Sequence, residues 1–230
     1  MKEFLINSVF FGALLSLAGY ELGLILKKKF KLAIFNPLLI ASVSVIAVLL
    51  LMDVDYESYN EGGKYLSYLL TPATVSLAVP LYEQLELLKK NLKAVAAGII
   101  SGVIASVFGV FALCKLFGMN HQQYVTLLPK SITTAIGMGV SEELGGIVTI
   151  TVAVIVITGV LGNVIADLVY KIFRIEEPVA KGLALGTASH AIGTAKAMEL
   201  GMTEGAMSSL AIAVAGLLTA VLAPVFSGLI

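Results

Sequence analysis

Residues Gly186 to Lys196 read GTASHAIGTAK, which sets hydroxyls, an imidazole and an ammonium close together between two apolar stretches. Thr187, Ser189 and Thr194 can donate and accept, His190 can donate to an anion or change protonation near neutral pH, and Lys196 adds a counter-charge. Hydrocarbon penalises unpaired backbone amides, so a helix interrupted at that depth implies a cavity lined by protein. A broken helix also presents free amides and the positive end of its dipole, the chemistry that holds a small anion such as a carboxylate.

Two more stretches have the same character. Thr71, Thr74 and Ser76 lie beside Pro72 and Pro80, each of which removes a backbone donor and leaves the carbonyl four residues back unpaired. Lys130, Ser131, Thr133 and Thr134 follow Pro129 within LLPKSITTAIGMGVSEELGG at 127–146. The bland alternatives are a kinked structural helix, hydroxyls bonded to their own backbone, a packing histidine and a snorkelling lysine. Ionisable groups at membrane depth are costly and usually face a cavity, which favours a substrate-binding role for these residues together. Glu21, Glu142, Glu143 and Asp167 read as rim or helix-end charges, and Asn36-Pro37 as the start of a helix.

The elements that must position these residues are membrane helices. Mean hydropathy is +0.98 and only 13% of residues are charged, against about 25% in a soluble domain. Residues 32–52, 94–114, 144–166 and 205–230 hold no Asp, Glu, Lys or Arg, and 4–26 only Glu21; each exceeds the roughly 18 apolar residues that mark a span. The fold class is therefore all-α, a polytopic membrane protein with broken or re-entrant helices. Zero net charge gives no bulk attraction to nucleic acid, and the single Cys114 can form no internal disulfide. The first apolar run is too long for a cleavable signal and reads as a retained helix.

Lysines and arginines cluster at 27–31, 89–93 and 171–181, which are expected to be cytoplasmic, and the acidic loop 53–61 falls outside. Helices 4–26, 32–52, 63–88 and 92–117 then cross alternately, with loop 118–125 outside. Because helix 146–170 must run from outside to the third basic loop, 126–145 starts and finishes on one face, as a re-entrant segment does. TPATVSLAVP at 71–80 aligns with GTASHAIGTA at 186–195, suggesting inverted repeats. The expected organisation is one membrane domain: an N-terminal helix 1–31, a first repeat unit 32–117, a re-entrant segment 118–145 and a second repeat unit 146–230. Shared small-residue composition would produce the same alignment.

Enzyme chemistry is not expected: there is no nucleotide-binding glycine loop, no His/Cys metal spacing, and His121 is the only other histidine. No cofactor or metal is expected either.

TPATVSLAVPLY at 71–82, LLPKSITTAIGMGVSEELGG at 127–146 and GLALGTASHAIGTAKAMELG at 182–201, in this order and spacing, resemble the LrgB/CidB family across nearly the whole chain. The resemblance implies a multi-pass protein of the bacterial cytoplasmic (inner) membrane that works with a small LrgA/CidA-type membrane partner. It implies either a holin/antiholin-like regulator of murein hydrolase export and autolysis, or a carrier of small carboxylates. The plant plastid relative exchanges glycolate and glycerate, and bacterial relatives are linked to pyruvate. A holin-like lesion needs only uniform apolar helices with small-residue seams, whereas a carrier needs polar interrupted segments. The expectation is therefore a carrier for a small 2-hydroxy- or 2-oxo-carboxylate by alternating access, with the antiholin role as the alternative. Proton coupling, sodium coupling and simple exchange stay open, and a homo-oligomer in the lipid bilayer is expected.

Overall fold

A computed structural model describes residues 8, 10–30, 35–76 and 78–230. Among the described residues the regular elements are helices, with no strand. The chain divides into two compact units, Met1–Ser76 and Leu77–Ile230.

The first unit holds α1 (Phe11–Phe30), α2 (Pro37–Met52), α3 (Tyr56–Ser67) and α4 (Leu70–Ser76). Helix α2 begins where the sequence implied, because the Asn36 side-chain oxygen accepts from the Leu38 and Leu39 amides at 2.9 and 3.3 Å and Pro37 needs no partner there. Helix α1 packs against α2 and α3. A β-carbon on its Gly23 would lie 2.6 Å from Pro37 Cα, so only glycine permits that crossing. Helix α1 runs later than the expected 4–26; residues 1–7, 9 and 31–34, with Lys31 and the first residues of the 32–52 run, lie outside the described residues.

The helix expected over 63–88, interrupted near its prolines, is broken among the described residues at 68–69 and again at Gln84, and α5 (Ala78–Glu83) and α6 (Leu85–Lys90) open the second unit. Pro72 falls in the first turn of α4, just after the break at 68–69, where its missing N–H costs nothing, and so it starts a helix rather than kinks one.

In the second unit α7 (Leu92–Leu116), α10 (Val148–Phe173) and α12 (Met202–Ser227) are each long and apolar enough to cross a bilayer. Two inserts separate them. The first is α8 (His121–Leu127), a turn over 128–133, and α9 (Thr134–Glu143). Both of its arms begin at the same end of α10: Thr151 Oγ1 donates to the Thr126 carbonyl at 2.9 Å and meets Ser141 Oγ at 2.7 Å, while the Ile147 amide donates to Thr126 Oγ1 at 2.8 Å. The start of α9, next to the turn, reaches deeper, with Gly137 against the Ile155 side chain, roughly 10 Å along α10 from its first residue. The two arms of this segment thus form a hairpin against the first half of α10.

The second insert is α11 (Pro178–Leu200), whose helix breaks at Ser189 (φ −131°, ψ 16°) and His190 (φ 42°, ψ −137°). The chain reverses there. Gly182 closes on Glu204 and Met207 and Gly186 on Ser208 and Ala211, so the first arm runs parallel to the start of α12. Gly205 closes on Met198 and Thr194 Oγ1 meets Ser208 Oγ at 2.7 Å, so the second arm runs back against it. Gly193 abuts the Leu185 carbonyl, which joins the two arms near the reversal. A side chain at Gly186 or Gly193 would push these backbones apart. Because lipid is as apolar as leucine, such close approach and buried hydrogen bonds, rather than hydrophobic burial, hold helices together in a bilayer.

Both arms return to the end at which α10 finishes. Tyr170 Oη donates to the Lys181 carbonyl at 2.9 Å, and Lys196 Nζ pairs with Asp167 at 2.9 Å. Lys89, Lys90, Lys93, Lys171, Arg174 and Lys181 belong to the segments that meet at this end, which is the end expected to be cytoplasmic. At the opposite end Tyr124 Oη donates to the Phe226 carbonyl at 3.0 Å. The two re-entrant hairpins therefore enter the second unit from opposite ends and meet beside Ile155: Gly137 touches its side chain and His190 its carbonyl.

Candidate functional site

A cavity of about 1020 Å³ lies between one face of α7 and the first arm of α11. Its mouth is at the basic end, by Asn91, Glu177 and Thr203, and its floor is formed by Ser106, Lys130, Ser131, Thr187 and Ala188. The floor is where the turn of the first hairpin comes alongside the end of the first α11 arm.

Hydrogen bonding on that floor is one-sided. Lys130 Nζ donates to Ser131 Oγ at 2.9 Å, and Ser106 Oγ donates to the same oxygen at 2.9 Å. Ser131 Oγ thus accepts twice and keeps its own hydrogen, while the ammonium keeps two more. No carboxylate pairs with Lys130 among the described residues. A cation and a hydroxyl with uncommitted hydrogens, at the floor of a half-open hollow, make a site for a ligand that only accepts, and a carboxylate is such a ligand.

The break in α11 is held separately. His190 Nε2 lies 2.9 Å from the Ile155 carbonyl, so that nitrogen bears hydrogen and donates. A β-carbon on Gly159 of α10 would lie 2.7 Å from the His190 ring, and one on Gly162 would overlap Ser189 Oγ, so α10 presents a smooth face where the reversal docks. Asn163 Nδ2 donates to the Ile192 carbonyl at 3.2 Å.

The profile of the LrgB-like family matches residues 16–229. This chain belongs to the LrgB-like family. It is 41% identical over 218 residues to the antiholin-like protein LrgB of Bacillus cereus (strain B4264), and equally to that of Bacillus anthracis (strain A0248); the alignments cover 94% of this chain and 95% of each relative. No solved structure matches. Membership and the long apolar helices make this LrgB-like chain a multi-pass membrane protein.

Of the residues singled out by sequence in this LrgB-like protein, the structure brings Lys130, Ser131 and Thr187 to one cavity. Thr133 and Thr134 start α9 next to the turn. Ser189 and His190 form the break, buried against α10. Thr194 Oγ1 is engaged by Ser208 and by the His190 carbonyl at 3.1 Å, and Lys196 by Asp167, so both hold the second arm in place. Thr71 and Ser76 lie in α4 of the first unit, with Ser76 Oγ donating to the Ala73 carbonyl at 2.8 Å; the Thr74 side chain lies outside the described residues. Sequence reasoning missed the α7 wall, Gly98, Ser101, Gly102, Ala105 and Ser106. Its signal was present as small residues three and four apart in AGIISGVIAS, the spacing that keeps one helix face free of bulk.

Proposed function

We propose that this protein is a membrane carrier for a small 2-hydroxy- or 2-oxo-carboxylate of pyruvate or glycolate size. The observation that supports this reading is the floor of the cavity, where Lys130 and Ser131 offer uncommitted hydrogens between two re-entrant hairpins entering from opposite ends. Discontinuous helices meeting near the bilayer midplane are the arrangement in which carriers exchange a solute's hydration for protein donors. Substrate enters from the cytoplasmic mouth, pairs with Lys130, and is released on the far side when a hairpin moves against the long helices. The repeat relation between 32–117 and 146–230, a proton or sodium ion as coupling partner, a small LrgA/CidA-type membrane partner and a homo-oligomeric state belong to this proposal. Thr71, Thr74 and Ser76 enter it as the counterpart of 187–194 in the first repeat.

A second reading has its own support. The relatives are named antiholin-like, and on the comparisons alone a regulator of murein hydrolase export and autolysis is better backed than a carrier. Proteoliposomes with and without the small partner separate the two. Uptake of labelled pyruvate, lactate or glycolate that is lost in Lys130→Gln supports the carrier. Release of large dyes or folded enzymes, with no carboxylate uptake, supports the antiholin-like role and removes the carrier.

A further inference from the structure

The cavity is far larger than a three-carbon acid and its polarity is uneven. At about 1020 Å³ it reaches the upper end of the roughly 300–1,000 Å³ range typical of sites that enclose drug-sized molecules. The donors are confined to the floor. Above them the walls are Ala94, Gly98 and Ala105 of α7 and Leu183 and Ala184 of α11. The hydroxyl in these walls and that of Thr187 at the floor's edge are turned onto their own helices: Ser101 Oγ donates to the Gly98 carbonyl at 3.0 Å and Thr187 Oγ1 to the Leu183 carbonyl at 2.6 Å. The next polar side chains are at the mouth.

We infer that the carboxylate bound here bears an apolar tail longer than that of pyruvate, with its head on Lys130 and Ser131 and its tail along the α7–α11 walls. The inference rests on the carrier reading and narrows its substrate class. An apolar tail leaves water for apolar walls, and each added methylene tightens binding about fourfold. A hydroxylated tail leaves water for walls that offer it no donor, and each hydroxyl weakens binding roughly tenfold.

The test is competition against labelled pyruvate uptake by the full chain in proteoliposomes. Competitors are 2-oxobutyrate, 2-oxovalerate, 2-oxohexanoate, lactate, glycerate and dodecanoate. Inhibition constants are expected to fall about fourfold per methylene, or about sixtyfold from pyruvate to 2-oxohexanoate, with glycerate about tenfold weaker than lactate. Ala184→Leu, or Ala105→Leu if the first does not fold, should bring the ratio between 2-oxohexanoate and pyruvate towards one, whatever the absolute rate. A flat or rising series, or an unchanged ratio in both variants, overturns the inference and leaves the carrier reading standing. Equal gains continuing undiminished to dodecanoate also overturn it, since they mark a slot open to lipid. If the unaltered protein takes up neither pyruvate nor 2-oxohexanoate, the carrier reading itself fails.

Discussion

Replacing Gly162 by alanine tests whether the reversal in α11 is seated on α10. A β-carbon at Gly162 would overlap Ser189 Oγ and lie 2.8 Å from Ser189 Cβ. The hydroxyl can rotate away, but Cβ is fixed to backbone at the break and must retreat by several tenths of an ångström. Overpacking of that kind costs about 1–3 kcal/mol. Alanine in a helix interior also returns up to about 1 kcal/mol relative to glycine. Gly139→Ala in α9 isolates that gain, because no atom lies within 4 Å of its β-carbon position. The difference between the two variants is therefore the contact itself, about 1–3 kcal/mol. At roughly 2–4 °C per kcal/mol for a chain of this size, Gly162→Ala should melt about 2–12 °C below Gly139→Ala in thermal-shift measurements on detergent-purified protein. If the two alanine variants melt together, the reversal does not rest on α10 and the described site geometry is wrong.

Thr151→Val removes a hydroxyl that joins Ser141 and the Thr126 carbonyl, all buried, and should lower stability by about 1–3 kcal/mol while Thr151→Ser stays near the parent; equal melting of Val and Ser variants would contradict this. For Lys196 and Asp167, whose side chains are 16% and 60% exposed, a cycle of Lys196→Met and Asp167→Asn should give a coupling of at most about 1 kcal/mol, with the double variant more stable than the sum of the singles implies. Asp55 accepts from the Ser58 amide at 2.7 Å, which holds its carboxyl below the ordinary value of 3.8. Its cap on α3 is therefore fully present above that ordinary value and is lost as pH falls through the lowered one. Protection of the Ser58 amide from hydrogen exchange should fall only in that acid range, and Asp55→Asn should be insensitive to pH there.

What the chain discloses in advance follows from which forces are local. The break at Ser189 and His190 was legible because hydroxyls, glycines and an imidazole inside an apolar run conflict with a lipid-facing helix. The hairpin at 126–145 fits the expectation from charge parity that this stretch starts and finishes on one face. Pro72 signalled interruption, but not that it would begin a short helix, because a proline tolerates a first turn as readily as it disrupts an interior one. The α7 wall stayed hidden: Gly98, Gly102 and Ala105 serve equally as a packing seam or as the side of a hollow, and only the neighbouring helix decides. The partner of Lys196 could not be read either, because Asp167 reaches it through the reversal of α11, a contact 29 residues apart in sequence.

That reversal governs arithmetic as well as geometry. At 23 residues α11 is long enough to reach from one face to the other, yet it contributes no crossing. Any tally that scored it as a span would invert everything downstream, placing the start of α12 at the wrong water layer. A reporter fused after Ile230 should emerge opposite the turn at 174–177.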